Sequence, residues 1–237
     1  MPKKKVKRKS NRLVAVIFVS AIAIILIACG IAYFVNANHM DEVSTEDDDI
    51  IALATRYFRG TKACIGYDVK LLVDGEQNVK DMDYESKEQL AIDYAIRKDY
   101  DRIGYDELNE IYHLLFNDGS SLKSKAYYET SSGYYRKNSE VYELTAYSVC
   151  SAARPPEMVC LAVDKAYKSD RAIKLIADVY SGAAETGYLY SGIDWSVKPL
   201  GVYGDVTPSE EDLAKWELTF KYDNKLKRYF LTSTKKL

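Results

Sequence analysis

The chain opens with an abrupt change from basic to apolar to acidic residues. Residues 13–35 run for 23 residues without a charge, residues 1–12 hold seven basic residues and no acid, and residues 36–49 hold six acids and no Lys or Arg. A helix of that length rises roughly 35 Å, enough to cross a hydrocarbon core of about 30 Å. Because basic flanks stay cytoplasmic, we expect a basic cytoplasmic tail at 1–12, a transmembrane helix at 13–35 in contact with membrane lipid, and the remainder outside the cell.

Leu26-Ile27-Ala28-Cys29 offers an alternative interpretation of the same stretch. It resembles the lipobox of bacterial lipoproteins, which implies cleavage before Cys29 and lipidation of that residue; the chain would then be a solute-binding lipoprotein. The apolar run continues to Val35, however, and places Tyr33 and Phe34 where interfacial aromatic residues belong. We therefore expect an uncleaved anchor, with the plasma membrane as the location in both cases.

Beyond a polar spacer at 36–45, apolar residues recur at helical spacing. Three helices are predicted: one capped by Thr45 and ended by Gly60, one capped by Ser86, and one beginning near Asp106. Asp74-Gly75 predicts a hairpin between the first and second helices.

After residue 120 the apolar period changes from about 3.6 to 2, which indicates strands. Strands are predicted at 142–150, 173–179 and 216–222, with hairpins around 127–135, 188–191 and 223–235. Short helices are predicted at 157–167 and after the capping box that begins at Thr207. Helices followed by a mostly antiparallel sheet predict one α+β domain over 46–237, and this order resembles the helices and curved sheet of the nuclear transport factor 2 fold.

The net charge of the chain beyond its basic tail disfavours one class of partner, nucleic acids. The tail takes seven of the 33 Lys and Arg residues, so residues 13–237 carry 26 basic residues against 35 acidic ones. An acidic domain is a poor nucleic-acid binder, because binding requires a basic face that neutralises phosphates. No nucleic-acid partner is therefore expected. The sequence also has no P-loop and no G-x-G-x-x-G motif, and no cofactor is expected.

Three cysteines follow the apolar stretch, in a region where an oxidising compartment permits disulfides. Cys150 and Cys160 flank Pro155-Pro156 and are predicted to form a disulfide, with Cys64 either unpaired or exchanged into the bridge. All three could equally be small buried residues.

A thiol enzyme is an alternative interpretation of Cys150. Its position at a predicted strand end, in a single-pass protein that also offers His113 and Arg154 or Arg171, resembles the sortases and implies a catalytic Cys-His-Arg set. The residues before Cys150 read Thr-Ala-Tyr-Ser-Val, which departs from the Thr-Leu-x-Thr-Cys signature. Because His113 also lies in a predicted helix, we expect no enzyme.

Residues 99–110 partly match a calcium loop. Asp99, Asp101, Gly104 and Glu110 stand at the acidic and glycine positions of an EF-hand, but Ile103 replaces an oxygen ligand and Asp106 an apolar residue. We expect a turn capped by Asp106 rather than a metal site. Zinc is disfavoured because the chain has only 2 histidines.

The chain holds 21 tyrosines, whose apolar body and polar tip suit interaction surfaces. Six of them are predicted to form one face that binds a protein or an envelope glycan: Tyr127, Tyr128, Tyr134, Tyr135, Tyr188 and Tyr190.

These features predict a membrane-anchored, extracytoplasmic binding or assembly module of the bacterial cell envelope, without enzymatic activity. The order of basic tail, apolar span and outer α+β domain also resembles, by layout alone, the VirB8-like scaffold subunits of type IV secretion machines. That resemblance implies a secretion scaffold as an alternative and assigns no residues.

Overall fold

A computed structural model describes Ile24, Ile27 and residues 39–58, 60–66, 70–98, 100–130, 133–146, 158–183, 186–194, 196–202, 205 and 207–237. The chain divides into two units, Met1–Met40 and Asp41–Leu237. The predicted span lies outside the described residues apart from Ile24 and Ile27, which are helical and exposed. Within the described part, no helix combines the length and the apolar composition needed to cross a bilayer.

The described part of the second unit contains three α-helices: α1 (Asp48–Phe58), α2 (Tyr84–Arg97) and α3 (Tyr105–Leu115). The three predicted helices are confirmed, but the caps of α1 and α2 are aspartates. Asp47 accepts a hydrogen bond from the Asp49 N–H at 3.0 Å, and Asp83 accepts one from the Ser86 N–H at 2.7 Å. The predicted caps Thr45 and Ser86 are wrong, because a nearby carboxylate is the stronger acceptor for these N–H groups.

Helix α3 begins one residue before the predicted cap Asp106. Gly104 is its N-cap, and the Glu107 carboxylate accepts a hydrogen bond from the Gly104 N–H at 2.8 Å.

The strands in the described residues are, in chain order, β1 (Asp41–Val43), β2 (Lys62–Gly66), β3 (Glu76–Asn78), β4 (Arg102–Gly104), β5 (Tyr127–Thr130), β6 (Gly133–Asn138), β7 (Val141–Ala146), β8 (Met158–Lys168), β9 (Ala172–Ala183), β10 (Tyr188–Ser191), β11 (Gly201–Val202), β12 (Ala214–Asp223) and β13 (Arg228–Lys236).

Two sheets result. The larger has the order β1-β8-β9-β12-β13-β3, with β2 also pairing with β8, β10 with β9, and β11 with β10. The smaller has the order β4-β7-β6-β5. The α+β class with a mostly antiparallel sheet is thereby confirmed. Strand β1 lies within the stretch predicted as a spacer, where it pairs with the end of β8.

One core joins both sheets to the three helices. Trp216, Leu218 and Phe220 alternate along β12 and are fully buried, whereas the residues between them are half-buried. Phe220 lies 5.6 Å, centroid to centroid, from Tyr57 of α1, so this face of the large sheet packs against that helix.

Three local predictions are wrong. Residues 158–167 of the predicted helix belong to β8, because Val159, Leu161 and Val163 are buried with period 2 against β9. After Thr207 there is only a single 3₁₀ turn, Glu210–Asp212, without a side-chain cap. Asp74-Gly75 does not close a local hairpin, since β3 pairs with β13 instead.

Candidate functional site

A pocket of about 360 Å³ lies where α2 and the end of α3 meet the edge of the large sheet. We call it the lysine pocket, because three lysines from separate elements line it: Lys80 from the 3₁₀ turn Val79–Asp81, Lys87 from α2 and Lys221 from β12. Its apolar walls include Phe116 and Phe230, which are 3% and 5% exposed.

Lys87 is the buried member of this set. Its side chain is 6% exposed, and its Nζ donates to Asp118 Oδ2 at 2.7 Å and to the Lys80 carbonyl at 3.3 Å. The ammonium also lies 6.0 Å from the centre of the Phe116 ring. Since a lysine has three N–H donors, these two acceptors leave one donor for another group.

Asp118 is held ionised by its neighbours. Burial alone would raise the pKa of its carboxyl, but the hydrogen bonds from Lys87 and from the Ser120 N–H, at 2.9 Å, outweigh burial and lower the pKa. Asp118 therefore remains negative and balances Lys87.

The second acid of the pocket, Asp223, is also satisfied. Its Oδ2 accepts a hydrogen bond from Asn117 Nδ2 at 2.6 Å, and its Oδ1 accepts the Lys225 and Leu226 N–H groups at 2.8 and 2.7 Å. These donors, chiefly the Leu226 N–H, lower the pKa of Asp223. Neither acid is paired with Lys80 or Lys221.

A second pocket, of about 490 Å³, is lined by residues that include Glu110, His113, Leu226 and Arg228. His113 is exposed on α3, with its Nε2 3.2 Å from Asn109 Nδ2 and 3.5 Å from Ser121 Oγ. Ser121 itself is not among the residues that line this pocket, and the lining residue with a hydroxyl is Tyr100.

Only some of the candidate catalytic residues lie in the part of the chain that the structure describes. Cys150 and Arg154 lie outside the described residues, as does the lipidation candidate Cys29. His113 is on α3, and Arg171 is exposed in the turn between β8 and β9.

Of the three candidate calcium ligands, the structure describes two. Asp99 lies outside the described residues, Asp101 precedes β4, and Glu110 lies on α3. The centre of the predicted loop is β4, which pairs with β7. Among the described residues, no group of three or more His, Cys, Asp or Glu is arranged to hold a metal ion.

The six tyrosines of the predicted binding face do not share one surface. Tyr128 and Tyr135 are 2% and 0% exposed, whereas Tyr127 and Tyr134 lie on the opposite, outer face of the small sheet with ring centroids 5.0 Å apart. Tyr188 and Tyr190 belong to β10 of the large sheet.

Four buried or half-buried tyrosines form hydrogen bonds with residues 117–126, a connecting segment without helix or strand. Tyr128 and Tyr142 each donate a hydroxyl hydrogen bond at 2.8 Å, to the carbonyls of Lys123 and Lys125. Tyr105 donates to the Leu122 carbonyl, and the Lys123 N–H donates to the Tyr84 hydroxyl at 2.6 Å. These hydroxyls satisfy backbone groups that have no partner in regular secondary structure.

Cys160 is disulfide-bonded. It is 2% exposed, and the backbone register of β2 and β8 places Cys64 directly opposite it. The predicted partner, Cys150, lies outside the described residues.

The lysine pocket was not predicted from the sequence. One signal was available, since Lys87 precedes Ala91 and Ala95 at intervals of four and so lies on the buried face of α2. Nothing in the sequence brings Lys80 and Lys221 to it, because both come from other elements. Comparison of the chain with protein-family models, curated proteins and solved structures found no match.

Proposed function

We propose that this chain is a membrane-anchored, extracytoplasmic binding or assembly module of the bacterial cell envelope, without enzymatic activity. The observation that carries the location is the disulfide at Cys160, because disulfides persist in oxidising compartments outside the cytoplasm. The change from basic to apolar to acidic residues across 1–49 supports the same orientation.

Intact mass and thiol labelling of the chain purified from membranes test this proposal. A full-length mass, with maleimide labelling of Cys160 in the denatured chain only after reduction, is the expected result. A mass that begins at Cys29 with added lipid would favour the lipoprotein alternative. Labelling of Cys160 before reduction would contradict an oxidising location.

The same purified chain can be used to identify which cysteine pairs with Cys160. Directly opposed residues of antiparallel strands have Cα atoms about 4.5 or 5.5 Å apart, and both separations fall within the range of about 4.4–6.8 Å that disulfides span. The register of Cys64 with Cys160 therefore favours this pair. Peptide mapping without reduction distinguishes a Cys64–Cys160 peptide from a Cys150–Cys160 peptide.

The binding surface we propose is the outer face of the small sheet, centred on Tyr127 and Tyr134. Arg136 stands opposite Tyr127 on this face, and Arg102 forms a 3.6 Å ion pair with Glu143 beside it. Tyr and Arg are enriched at protein interfaces, so we favour a protein partner over an envelope glycan.

Cross-linking in intact membranes tests this surface. We expect the double variant Tyr127→Ser/Tyr134→Ser to lose the cross-linked partner. Tyr188→Ser is the matched control, because Tyr188 is 39% exposed but lies on the large sheet. Equal loss in the control would contradict the assignment, and retention on purified envelope glycan instead would favour a glycan partner.

The finer fold is also a proposal. Three helices that precede most of the long strands support a likeness to the nuclear transport factor 2 fold, and with it the alternative of a secretion scaffold. A scaffold is expected to cross-link to further copies of itself or to other envelope subunits, whereas a monomer without such partners would contradict that alternative.

A further inference from the structure

The lysine pocket concentrates positive charge in a domain that is acidic overall. Residues 13–237 carry 26 basic residues against 35 acidic ones, yet three lysines converge on a pocket of about 360 Å³. That volume lies near the lower end of small-molecule sites, which span about 300–1,000 Å³.

The two acids of this pocket cancel only part of its positive charge. Asp118 is paired with Lys87, and the oxygens of Asp223 accept hydrogen bonds from Asn117 and two backbone N–H groups. Among the described residues, neither Lys80 nor Lys221 has an ion-pair partner, and both are exposed. With Asp118 and Asp223 both ionised, the three lysines leave the pocket with one net positive charge to attract an anion.

The base of the pocket is held in place before any ligand arrives. Lys87 is fixed by Asp118 and by the Lys80 carbonyl, and it retains one N–H donor. A donor that is already ordered loses little conformational entropy when it binds a ligand.

The walls favour a ligand with a compact apolar part. Phe116, Phe230 and Leu231 line the pocket and are 3%, 5% and 3% exposed. Inorganic ions would leave this apolar surface unused.

We propose that the lysine pocket binds a small organic anion, whose carboxylate or phosphate group is held by Lys80, Lys87 and Lys221 and whose apolar part contacts Phe116 and Phe230. This site lies beyond the proposed function, because it depends on neither membrane attachment nor the outer face of the small sheet.

Isothermal titration of the full-length chain in neutral detergent tests the inference with two probes, benzoate and glycerol 3-phosphate. Benzamide and glycerol are the uncharged controls. We expect saturable binding of at least one anion and of neither control, and weaker binding as salt is added. Lack of saturation by both anions at about 10 mM, ten times a Kd of about 1 mM, would overturn the proposal.

Variants then locate the bound anion. Charge-assisted hydrogen bonds are the strong ones, so we expect Lys80→Met and Lys221→Met each to weaken binding by about tenfold. Both lysines are exposed, so these variants should unfold at the same urea concentration as the unmodified chain. Lys165→Met, which removes an exposed lysine of β8 outside the pocket, is the matched control and should bind normally.

Two results would contradict this location. One is unchanged affinity in Lys80→Met and Lys221→Met, which would place the anion elsewhere. The other is binding to phosphatidylglycerol vesicles without binding to either free anion, which would replace a small molecule by a lipid surface. The thiol-labelling and cross-linking results above can fail or succeed independently of these titrations.

Discussion

The two faces of the small sheet carry the same residue type for different purposes. Tyr128 and Tyr135 on the inner face are 2% and 0% exposed, whereas Tyr127, one residue before Tyr128, is 42% exposed on the outer face. Tyr142 joins the inner set, with its ring centroid 5.2 Å from that of Tyr128. The position of a tyrosine in the strand alternation, rather than its identity, therefore decides whether it supports the fold or remains available to a partner.

The two faces should differ most in how much free energy of unfolding is lost when a tyrosine ring is removed. Tyr135→Ala should lower the free energy of unfolding by about 3–5 kcal/mol, because it leaves a cavity and deprives the Tyr100 carbonyl of its 2.7 Å hydrogen bond. Tyr134→Ala on the outer face should cost less than about 1 kcal/mol. Urea denaturation of the two variants measures both.

Equal costs for these two variants would contradict the assignment of faces. If Tyr135→Ala does not fold, Tyr135→Phe keeps the ring and should lose only about 1–2 kcal/mol for the unpaired carbonyl.

Alkaline pH should destabilise the fold through tyrosines whose pKa is raised by burial. Burial raises the pKa of Tyr57, Tyr84 and Tyr112 to about 12, and burial also raises the pKa of Tyr128. The unfolded chain loses these protons near the ordinary value of 10.0, before the folded chain does. The contribution of these tyrosines to the free energy of unfolding should therefore be constant below that pH and fall as the pH rises through it towards 12.

Urea denaturation at a series of alkaline pH values checks this dependence. Tyr57→Phe should make the decline shallower, because it removes one late-titrating group and its linkage to folding. An unchanged slope in Tyr57→Phe would contradict the assignment of the alkaline decline to this buried hydroxyl.

Much of the sheet was predictable because its alternation is local. The period-2 pattern identified most of β5–β7, β9, β12 and β13, and it also separates Tyr127 from Tyr128. Strand β8 was missed because its apolar residues are compatible with either period over a short run, and only its pairing with β9 selects the strand.

The candidate sites were less predictable because they depend on contacts between distant residues. The hydroxyl of Tyr142 satisfies a carbonyl 17 residues away, and Asn117 meets Asp223 across 106 residues. No spacing rule relates such pairs. The sequence therefore indicated that tyrosines are abundant but not that several of them anchor the connecting segment.

A smaller effect is expected from removing one inner hydroxyl while keeping its ring. Tyr128→Phe leaves the Lys123 carbonyl without its 2.8 Å partner and should cost about 1–2 kcal/mol. Tyr127→Phe on the outer face is the matched control and should change stability by less than about 0.5 kcal/mol. Hydrogen exchange should also become faster in the connecting segment of Tyr128→Phe alone, and equal exchange in both variants would contradict its role as an anchor.

A small expected effect on stability accompanies the largest expected effect on recognition. Tyr127→Ser/Tyr134→Ser removes the outer rings, whose contact at 5.0 Å should contribute only about 0.5–1.5 kcal/mol to folding. The same variant should lose its partner in membrane cross-linking, while the inner-face variant Tyr128→Phe keeps it. If instead Tyr128→Phe loses the partner and the outer variant retains it, the connecting segment rather than the outer face would be the region that partners contact. Stability and binding therefore have to be measured on these same two variants, since only opposite rankings of the two faces distinguish a recognition surface from a structural one.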